Sequence, residues 1–327
     1  MYLFIESRGA KLKIKEGLFL VEEEDQKREY SPLSLSTIFL GESVSLTTAA
    51  VKTAIQHHIE VILADSRGKP YGLFWSPKCT NVAVRRKQLA YNGSDLANIV
   101  IKCKILNQYH LLASLFRSRK TEVNSSIMRL REIADELKRI QGNLQDVRNQ
   151  IMGKEGQAAD IYFSEVSAIL PPKFKFRKRS KRPPLDRFNA MISYGYGILY
   201  GEVEKNCIVS GLDPYIGFLH SDNYGRISLA LDLIELFRQP IVDRAVITLI
   251  TQKKMVDADF IEESGGIYLT KSGKSKVIKS VVERLDTRIQ YQGRCLKFRQ
   301  LIFEVCHDLI AHYLEGKEFN GFVYDWH

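Results

Sequence analysis

The chain has 327 residues, of which 45% are hydrophobic and 26% are charged. This composition is typical of a soluble globular protein and excludes a largely disordered or fibrous one, while the length is enough for two domains with separate cores. The formal net charge of +10 favours an anionic partner, although a basic balance alone is a weak indication.

Export, membrane insertion and cysteine chemistry find no support in the sequence. The longest uncharged stretch near the middle, Asn189 to Gly201, is too short and too interrupted by glycine and tyrosine to cross a bilayer. The N-terminus has neither a basic region nor a cleavage site, so we expect no export signal and a cytoplasmic location. The five cysteines are scattered without a C-x-x-C pair, which argues against a disulfide framework and a zinc knuckle.

Short strand patterns fill the first 80 or so residues, each bounded by Gly, Pro, Asp or Ser. One amphipathic helix, from Thr47 to His58, interrupts them. We therefore predict a small β-rich domain over residues 1–80. The predicted strands are Tyr2–Ile5, Lys11–Lys15, Leu18–Val21, Thr37–Leu40, Val61–Ala64 and Tyr71–Trp75.

Long helices are predicted after Pro77, because only two glycines and no proline lie between residues 81 and 150. Apolar residues recur at steps of three and four from Ile127 to Leu144, which predicts one amphipathic helix there. Residues 151–170 continue helical, and Gly153 and Gly156, with the alanines that follow, predict a surface that another helix approaches closely. Pro171 and Pro172 end this helix.

A strongly basic segment follows, with eight basic residues and one acid between Lys173 and Arg187. We call residues 173–182 the basic arm. Its alternation of cations with Phe174 and Phe176 predicts an extended segment with charges on one side and rings on the other. A solvated loop is the alternative, but the charge density favours nucleic-acid contact. The predicted nucleic-acid-binding residues are Lys173, Lys175, Arg177, Lys178, Arg179, Lys181 and Arg182.

The next elements are a mostly apolar helix over residues 186–207, which stops near Gly211, and a turn over residues 211–222 that contains His220. Further helices are expected beyond Pro240, with a small hairpin around Ile267 to Thr270. Between the turn and Pro240, residues 227–237 form a helical pattern that is apolar nearly all round, so this helix should be buried.

This buried helix carries two acids, Asp232 and Glu235, on one narrow stripe with Ser228. Buried carboxylates are costly unless cations or hydrogen-bond donors meet them. One interpretation is a divalent ion, Mg²⁺ or Mn²⁺, which the acids hold together with Glu155 and His220. The other is ion pairing with nearby arginines, and the spacing leaves both open. The arginines near enough in sequence are Arg226, Arg238 and Arg244.

Several common enzyme classes lack support. The sequence contains no P-loop, no G-x-G-x-x-G after a strand, no G-x-S-x-G and no H-E-x-x-H. Nucleotide hydrolysis, dinucleotide redox chemistry and serine-hydrolase chemistry are therefore not indicated.

Four ordered motifs resemble the CRISPR-associated integrases that insert new spacers, the universal first protein of the CRISPR adaptation module. The resemblance runs nearly from end to end. The motifs are Met-Gly-Lys-Glu-Gly-Gln-Ala-Ala around Glu155, Arg-Pro-Pro-Leu-Asp-Arg-Phe-Asn ending at Asn189, Gly-Leu-Asp-Pro-Tyr-Ile-Gly-Phe-Leu-His ending at His220, and Ser-Leu-Ala-Leu-Asp-Leu-Ile-Glu-Leu-Phe, which contains Asp232 and Glu235.

The resemblance implies an α+β protein with a sandwich-like β-rich domain, used in dimerisation, and a larger all-helical catalytic domain over residues 81–327. It implies that Glu155, His220 and Glu235 are the catalytic residues and hold Mg²⁺ or Mn²⁺. Asp232 is a nearby second acid, and the assignment of the last ligand stays open between Glu235 and Asp232. His220 acts either as a ligand or as a proton carrier.

The activity that the resemblance implies is metal-dependent integration of spacer DNA into a CRISPR array during antiviral defence. A DNA 3′-hydroxyl attacks a phosphodiester, and water in its place gives endonuclease cleavage. The expected partners are double-stranded DNA of the spacer precursor and the repeat, a second copy of the chain, and the small second adaptation protein. The alternatives are a metal-dependent nuclease without joining activity and a DNA-binding scaffold whose acids are salt-bridged.

Overall fold

A computed structural model describes residues 2–24, 26–35, 37–57, 59–64, 70–74, 82–120, 122–220 and 223–326. The chain divides into two compact units, Met1–Thr80 and Asn81–His327. The first unit is rich in strands and the second is mainly helical, so the predicted α+β class is confirmed. In the described parts of the chain, none of the helices combines the length and the apolar character that a bilayer crossing needs.

The described strands of the first unit form two four-stranded sheets. The elements are β1 Tyr2–Ile5, β2 Lys11–Lys15, β3 Leu18–Glu23, β4 Gln26–Tyr30, β5 Thr37–Gly41, β6 Ser45–Leu46, α1 Thr48–Gln56, β7 Glu60–Ala64 and β8 Pro70–Phe74. One sheet has the order β1-β5-β7-β8, in which only β8 is antiparallel to its neighbour, and the other has the order β4-β3-β2-β6.

The core of this unit follows from the alternation that predicted the strands. Leu3 and Ile5 of β1, Leu12 of β2, and Ile38 and Leu40 of β5 are all buried. Strand β4 was not predicted, because its Gln-Lys-Arg-Glu-Tyr sequence has no apolar alternation. Two predicted positions, the helix end at His58 and the strand end at Trp75, lie outside the described residues.

The second unit consists of helices and short hairpins. The hairpin predicted near residues 267–270 is confirmed, and the domain also contains a second hairpin, over residues 288–297, that was not predicted. The elements are α2 Val82–Ala90, α3 Asp95–Ser118, α4 Ser125–Leu137, α5 Leu144–Ile169, α6 Arg187–Ser210, α7 Ser228–Leu233, α8 Arg244–Thr251, β9 Phe260–Glu263, β10 Gly266–Leu269, α9 Lys271–Leu285, β11 Arg288–Tyr291, β12 Arg294–Lys297 and α10 Phe298–Glu315.

The single helix predicted from Ile127 to Leu144 is wrong, because the chain leaves the helix after Leu137. Gly142 has a φ of +134°, which side chains rarely adopt, and it breaks the pattern. Asn143 then caps α5, its side chain accepting a hydrogen bond from the Gln145 N–H at 3.1 Å.

The close helix approach predicted at Gly153 and Gly156 is also wrong. A Cβ atom built on either glycine meets no atom within 4 Å. Ala158 alone of the small residues that follow is fully buried. No other described element packs closely on α5 at these two glycines.

The predicted helix over residues 227–237 is buried, as expected, but it is not regular. Helix α7 tightens into a 3₁₀ turn over Ile234–Leu236 and then widens into a π-type turn over Arg238–Asp243 that leads into α8. Pro240 lies in the widened turn, where its missing N–H is tolerated. Helix α3 packs against α4, α5 and α7, which brings the middle of α3 to this irregular region.

Candidate active site

Two acidic residues that are distant in sequence meet at one lysine. Lys104 of α3 places its Nζ 2.7 Å from Glu235 Oε2, and the same ammonium contacts Glu155 Oε1 of α5. Lys104 and Glu235 are only 5% and 3% exposed. Glu155 and Glu235, which spacing alone does not bring together, therefore lie on either side of one buried cation.

Arg238 supplies a second cation to Glu235, with 2.9 Å between Arg238 Nη1 and Glu235 Oε1. Burial opposes ionisation of Glu235, but Arg238 and Lys104 outweigh it, so the pKa of this carboxyl is lowered. Burial likewise opposes the charge on Lys104, and Glu235 and Glu155 outweigh it, so the pKa of the ammonium is raised. The interior of the site is thus ionic.

Asp232 is surrounded by hydrogen-bond donors. Its Oδ2 accepts from the backbone N–H of Phe218 at 2.7 Å and of Leu219 at 2.9 Å. Its Oδ1 accepts from the His220 N–H at 2.9 Å and lies 2.5 Å from His220 Nδ1. A Cβ atom on Gly217 would lie 2.8 Å from Oδ2, so only glycine lets the turn wrap the carboxylate this closely.

These contacts fix the imidazole of His220. Because the Asp232 carboxylate accepts hydrogen bonds from three backbone N–H groups, its fourth partner, His220 Nδ1, is a donor as well. The lone pair of His220 therefore belongs to Nε2, the nitrogen on the other side of the ring from Asp232. Asp232, which holds His220, precedes Glu235 by three residues in the same buried stretch of chain.

Whether these residues suit a divalent ion depends on their donor atoms and their arrangement. In the ranges that the structure describes, no three His, Cys, Asp or Glu side chains already form a metal shell. The donor types nevertheless fit Mg²⁺ or Mn²⁺, since two carboxylates and an anchored imidazole are available. Glu235 Oε2 is buried and makes no well-aligned hydrogen bond, although Lys104 Nζ lies 2.7 Å away, so this oxygen depends on a cation rather than on a hydrogen-bond donor. Asp232 is different, because four donors occupy its oxygens.

The basic arm has the two-sided arrangement that its sequence predicts. Phe174 and Phe176 are buried, while Lys173, Lys175 and Arg177 are exposed. The ring of Phe176 stacks on Phe188 with 4.5 Å between centroids. The rings therefore anchor the arm to the protein, and only the cations are left to contact a ligand.

The seven predicted DNA-binding residues differ in their surroundings. Arg179 is committed to the protein, donating to Asn189 Oδ1 at 2.7 Å and to Ser193 Oγ at 2.9 Å. Lys173 forms a surface ion pair with Asp257 at 3.0 Å. The other five are exposed and make no ion pair with the residues that the structure describes; they are Lys175, Arg177, Lys178, Lys181 and Arg182.

The basic arm reaches the surroundings of Glu235 through Arg179. The guanidinium of Arg179 lies 5.6 Å from the centroid of Tyr196, and the guanidinium of Arg238, which pairs with Glu235, lies 4.7 Å from the same centroid. The arm and the carboxylate site are therefore linked through one aromatic ring.

Arg238 packs against a buried network of hydrogen-bonded side chains. Its guanidinium lies 4.7 Å from the centroid of Tyr196, whose hydroxyl donates to Asp243 Oδ1 at 2.7 Å. Tyr162 donates to the other oxygen of Asp243 at 2.6 Å. Burial raises the pKa of Asp243 to about 6.

Sequence reasoning missed Lys104 and Asp243. For Lys104 a signal existed, because it follows Val100 and Ile101 by four and three residues on the apolar side of α3, where a charged residue needs partners. For Asp243 no comparable signal existed, since it lies in a π-type turn that periodicity does not predict.

Known proteins match this chain in sequence along most of its length. A family model described as CRISPR associated protein Cas1 matches residues 3–283. A CRISPR-associated endonuclease Cas1 of Archaeoglobus fulgidus is 33% identical over 345 aligned residues, which cover 100% of both chains. A protein of the same description from Thermodesulfovibrio yellowstonii is 33% identical over 281 residues, covering 84% of this chain and 88% of the relative.

Solved structures are similar over almost the whole chain. A casposase bound to its integration product has a TM-score of 0.85 and 28% identity, covering 99% of this chain and 94% of the other. A Cas1 protein from Thermotoga maritima has a TM-score of 0.78 and 25% identity, with 100% of both chains covered. A chain of a Cas6-RT-Cas1–Cas2 complex shares the fold at 20% identity, with a TM-score of 0.75, and this chain covers 36% of its length.

Proposed function

The chain belongs to the CRISPR-associated Cas1 family, and from this we propose that it is a metal-dependent DNA integrase and endonuclease that inserts spacer DNA into a CRISPR array. A 3′-hydroxyl of one DNA attacks a phosphodiester of another, and hydrolysis results when water takes the place of that hydroxyl. The observation that supports this proposal is that Glu155 and Glu235, which are distant in sequence, contact the same buried lysine, while Asp232, three residues before Glu235, holds His220.

Glu155, Glu235 Oε2 and His220 Nε2 are the proposed ligands of Mg²⁺ or Mn²⁺. When bound, such an ion supplies charge neutralisation at the phosphate and alignment of the attacking oxygen. Asp232, which the sequence left open as a ligand, is proposed instead as the residue that positions His220, because its oxygens are already occupied.

The other residues of the site have separate roles. Asp232 keeps the Nε2 lone pair of His220 available, and Arg238 holds Oε1 of Glu235, which leaves Oε2 for a ligand. The exposed cations of the basic arm hold the DNA backbone next to the carboxylates. Because these contacts are made to phosphates, they position the duplex without selecting its sequence.

Strand transfer by a Glu155→Ala variant tests the proposal. We expect this variant to lose joining of a labelled oligonucleotide to a plasmid in Mn²⁺, because one of the ligands is gone, and to keep its affinity for DNA, because the basic arm is intact. Joining at the wild-type rate would refute the catalytic assignment. Blocking the 3′-hydroxyl separates integration, which needs that group, from a plain nuclease, which does not.

A second candidate function, a non-catalytic DNA-binding scaffold, is favoured by one observation. Lys104 and Arg238 already pair with Glu155 and Glu235, as they would in a site without any metal. Calorimetric titration with Mn²⁺ distinguishes the two functions. Heat with the wild type that is absent with Glu235→Gln supports the integrase, and no heat with either protein supports the scaffold.

The proposed partners follow from the same family assignment. We propose that the protein acts in the cytoplasm as a homodimer through residues 1–80 and assembles with the small second adaptation protein, Cas2. The similarity to a chain of a Cas6-RT-Cas1–Cas2 complex is consistent with such an assembly. Light scattering of the full chain, alone and mixed with Cas2, tests both associations.

A further inference from the structure

Lys104 is the least expected member of the candidate active site. An ammonium that is 5% exposed is costly unless acids compensate it, and here both Glu155 and Glu235 do so. Arg238 by itself already supplies Glu235 with one cationic partner. Lys104 therefore has a role beyond neutralising that single carboxylate, namely holding the two acids together.

Building on the proposed function, we propose that Lys104 is an internal counter-ion of the metal site. In the metal-free protein its ammonium fills the space between Glu155 and Glu235, and a divalent ion binds there only by displacing it. The lysine thus regulates metal loading of the site.

Only some of the carboxylate oxygens are available to a metal. Arg238 occupies Glu235 Oε1, so Oε2 is the oxygen that remains, and Lys104 Nζ lies 2.7 Å from this same atom. On the other side, Lys104 contacts Glu155 Oε1. A metal that binds Glu235 Oε2 would therefore compete with the lysine for this oxygen, and the two positive charges would repel each other.

The site leaves room for the displaced ammonium. The Glu155 side chain is 22% exposed. The site therefore opens to solvent on the Glu155 side. A lysine side chain has a flexible stem, so its ammonium reaches this side by rotation about its own bonds without movement of α3.

Two consequences follow for a Lys104→Met variant, which keeps the length of the side chain and removes its charge. Without metal, the two carboxylates lose a shared cation, so the variant unfolds at a lower temperature than the wild type. With metal, the competitor and its repulsion are gone, so the affinity for Mn²⁺ rises by at least about tenfold.

The experiment compares Mn²⁺ titration by calorimetry and thermal unfolding, with and without Mn²⁺, for four full-length proteins. They are the wild type, Lys104→Met, Lys102→Met and Glu235→Gln. Lys102→Met is the matched control, since it makes the same change two residues away on α3 at a position in contact with neither acid. We expect tighter binding and a larger thermal gain from Mn²⁺ with Lys104→Met, wild-type behaviour with Lys102→Met, and no binding with Glu235→Gln.

The outcomes separate the inference from the proposed function. Binding to Lys104→Met that is equal to or weaker than wild-type binding overturns the inference while leaving the proposed function intact. No binding to any of the proteins overturns both. If Lys104→Met does not fold without Mn²⁺, Lys104→Gln is used, and folding of either variant only when Mn²⁺ is present supports the inference. Failure of both variants to fold even with Mn²⁺ contradicts it, because the metal then does not replace the lysine.

Discussion

At the scale of single residues, Asp232 shows how one carboxylate organises the histidine of the site. Three backbone N–H groups and His220 Nδ1 all donate to it. An asparagine amide has only one acceptor oxygen, so Asp232→Asn turns one side of this arrangement into a clash between donors. The residue thus links the shape of the 217–220 turn to the orientation of the imidazole.

We expect Asp232→Asn to lower the free energy of unfolding by about 1–3 kcal/mol, because buried N–H groups lose their acceptor. We also expect slower DNA joining with unchanged DNA affinity. Nitrogen NMR of the His220 ring separates positioning from stability. The wild type should show the proton on Nδ1, and the variant should show a mixture of tautomers. A variant that keeps the wild-type tautomer contradicts the positioning role.

Asp243 gives the protein a pH-dependent loss of stability. Burial raises its pKa in the folded protein from the usual 3.8 to about 6. Between these values the folded protein binds the proton more tightly than the unfolded chain does, so this contribution to stability is present at low pH and is lost as the pH rises. The loss is at most about 1.4 kcal/mol per pH unit.

Urea unfolding of the wild type and Asp243→Asn from pH 4 to pH 7 measures this effect. The variant has no titrating group at position 243. The free energy of unfolding of the wild type should therefore fall relative to that of the variant between pH 4 and about pH 6, and the difference should stay constant at higher pH. Subtracting the two free energies of unfolding removes the contribution of all other titrating groups. A difference between the proteins that does not change with pH would show that Asp243 keeps its ordinary pKa.

At the scale of elements, the basic arm combines anchoring with binding. Its rings are buried against the protein, and Ser167 Oγ accepts the Phe176 N–H at 3.0 Å and donates to the Phe176 carbonyl at 2.7 Å. The arm is therefore held in place while its exposed cations face outward. Arg179 belongs to the anchoring part, because it donates to Asn189 and Ser193.

A triple variant in which Lys175, Arg177 and Lys181 are each replaced by Gln should bind DNA more weakly. The slope of log affinity against log salt concentration should become shallower by about 0.9 for each phosphate that the variant no longer neutralises. The free energy of unfolding should hardly change, since these residues make no ion pair with the described part of the chain. Fluorescence anisotropy from low to high salt measures the slope. Lys253→Gln with Lys254→Gln is the control, and an equal effect there would exclude a specific role for the arm.

The helices also show which sequence patterns were sufficient to predict where a helix begins and ends. Helix α6 begins with the capping side chain of Asp186 and ends at Gly211, with a φ of +88°, so local signals determined both of its ends. The Ile127–Leu144 pattern failed because Ile140 and Leu144 keep the helical spacing across a break. Periodicity does not distinguish a continuous helix from two helices that both use the same core.

At the scale of the whole molecule, the family and the fold class could be predicted from the sequence, because motifs and hydrophobic alternation are local properties. The partners of the acidic residues could not. Lys104 and Glu235 are far apart in the chain, and only the packing of α3 against α5 and α7 brings them together. The same packing decides that Asp232 faces the 217–220 turn while Glu235 faces Lys104 and Arg238.

The proposed metal centre of Glu155, His220 and Glu235 is tested most directly by anomalous diffraction from crystals soaked in Mn²⁺. We predict a single Mn²⁺ peak within coordination distance of Glu155, Glu235 Oε2 and His220 Nε2, with the Lys104 ammonium moved away from both acids. No peak between these side chains, with Lys104 still in contact with Glu155 and Glu235, would contradict the metal centre.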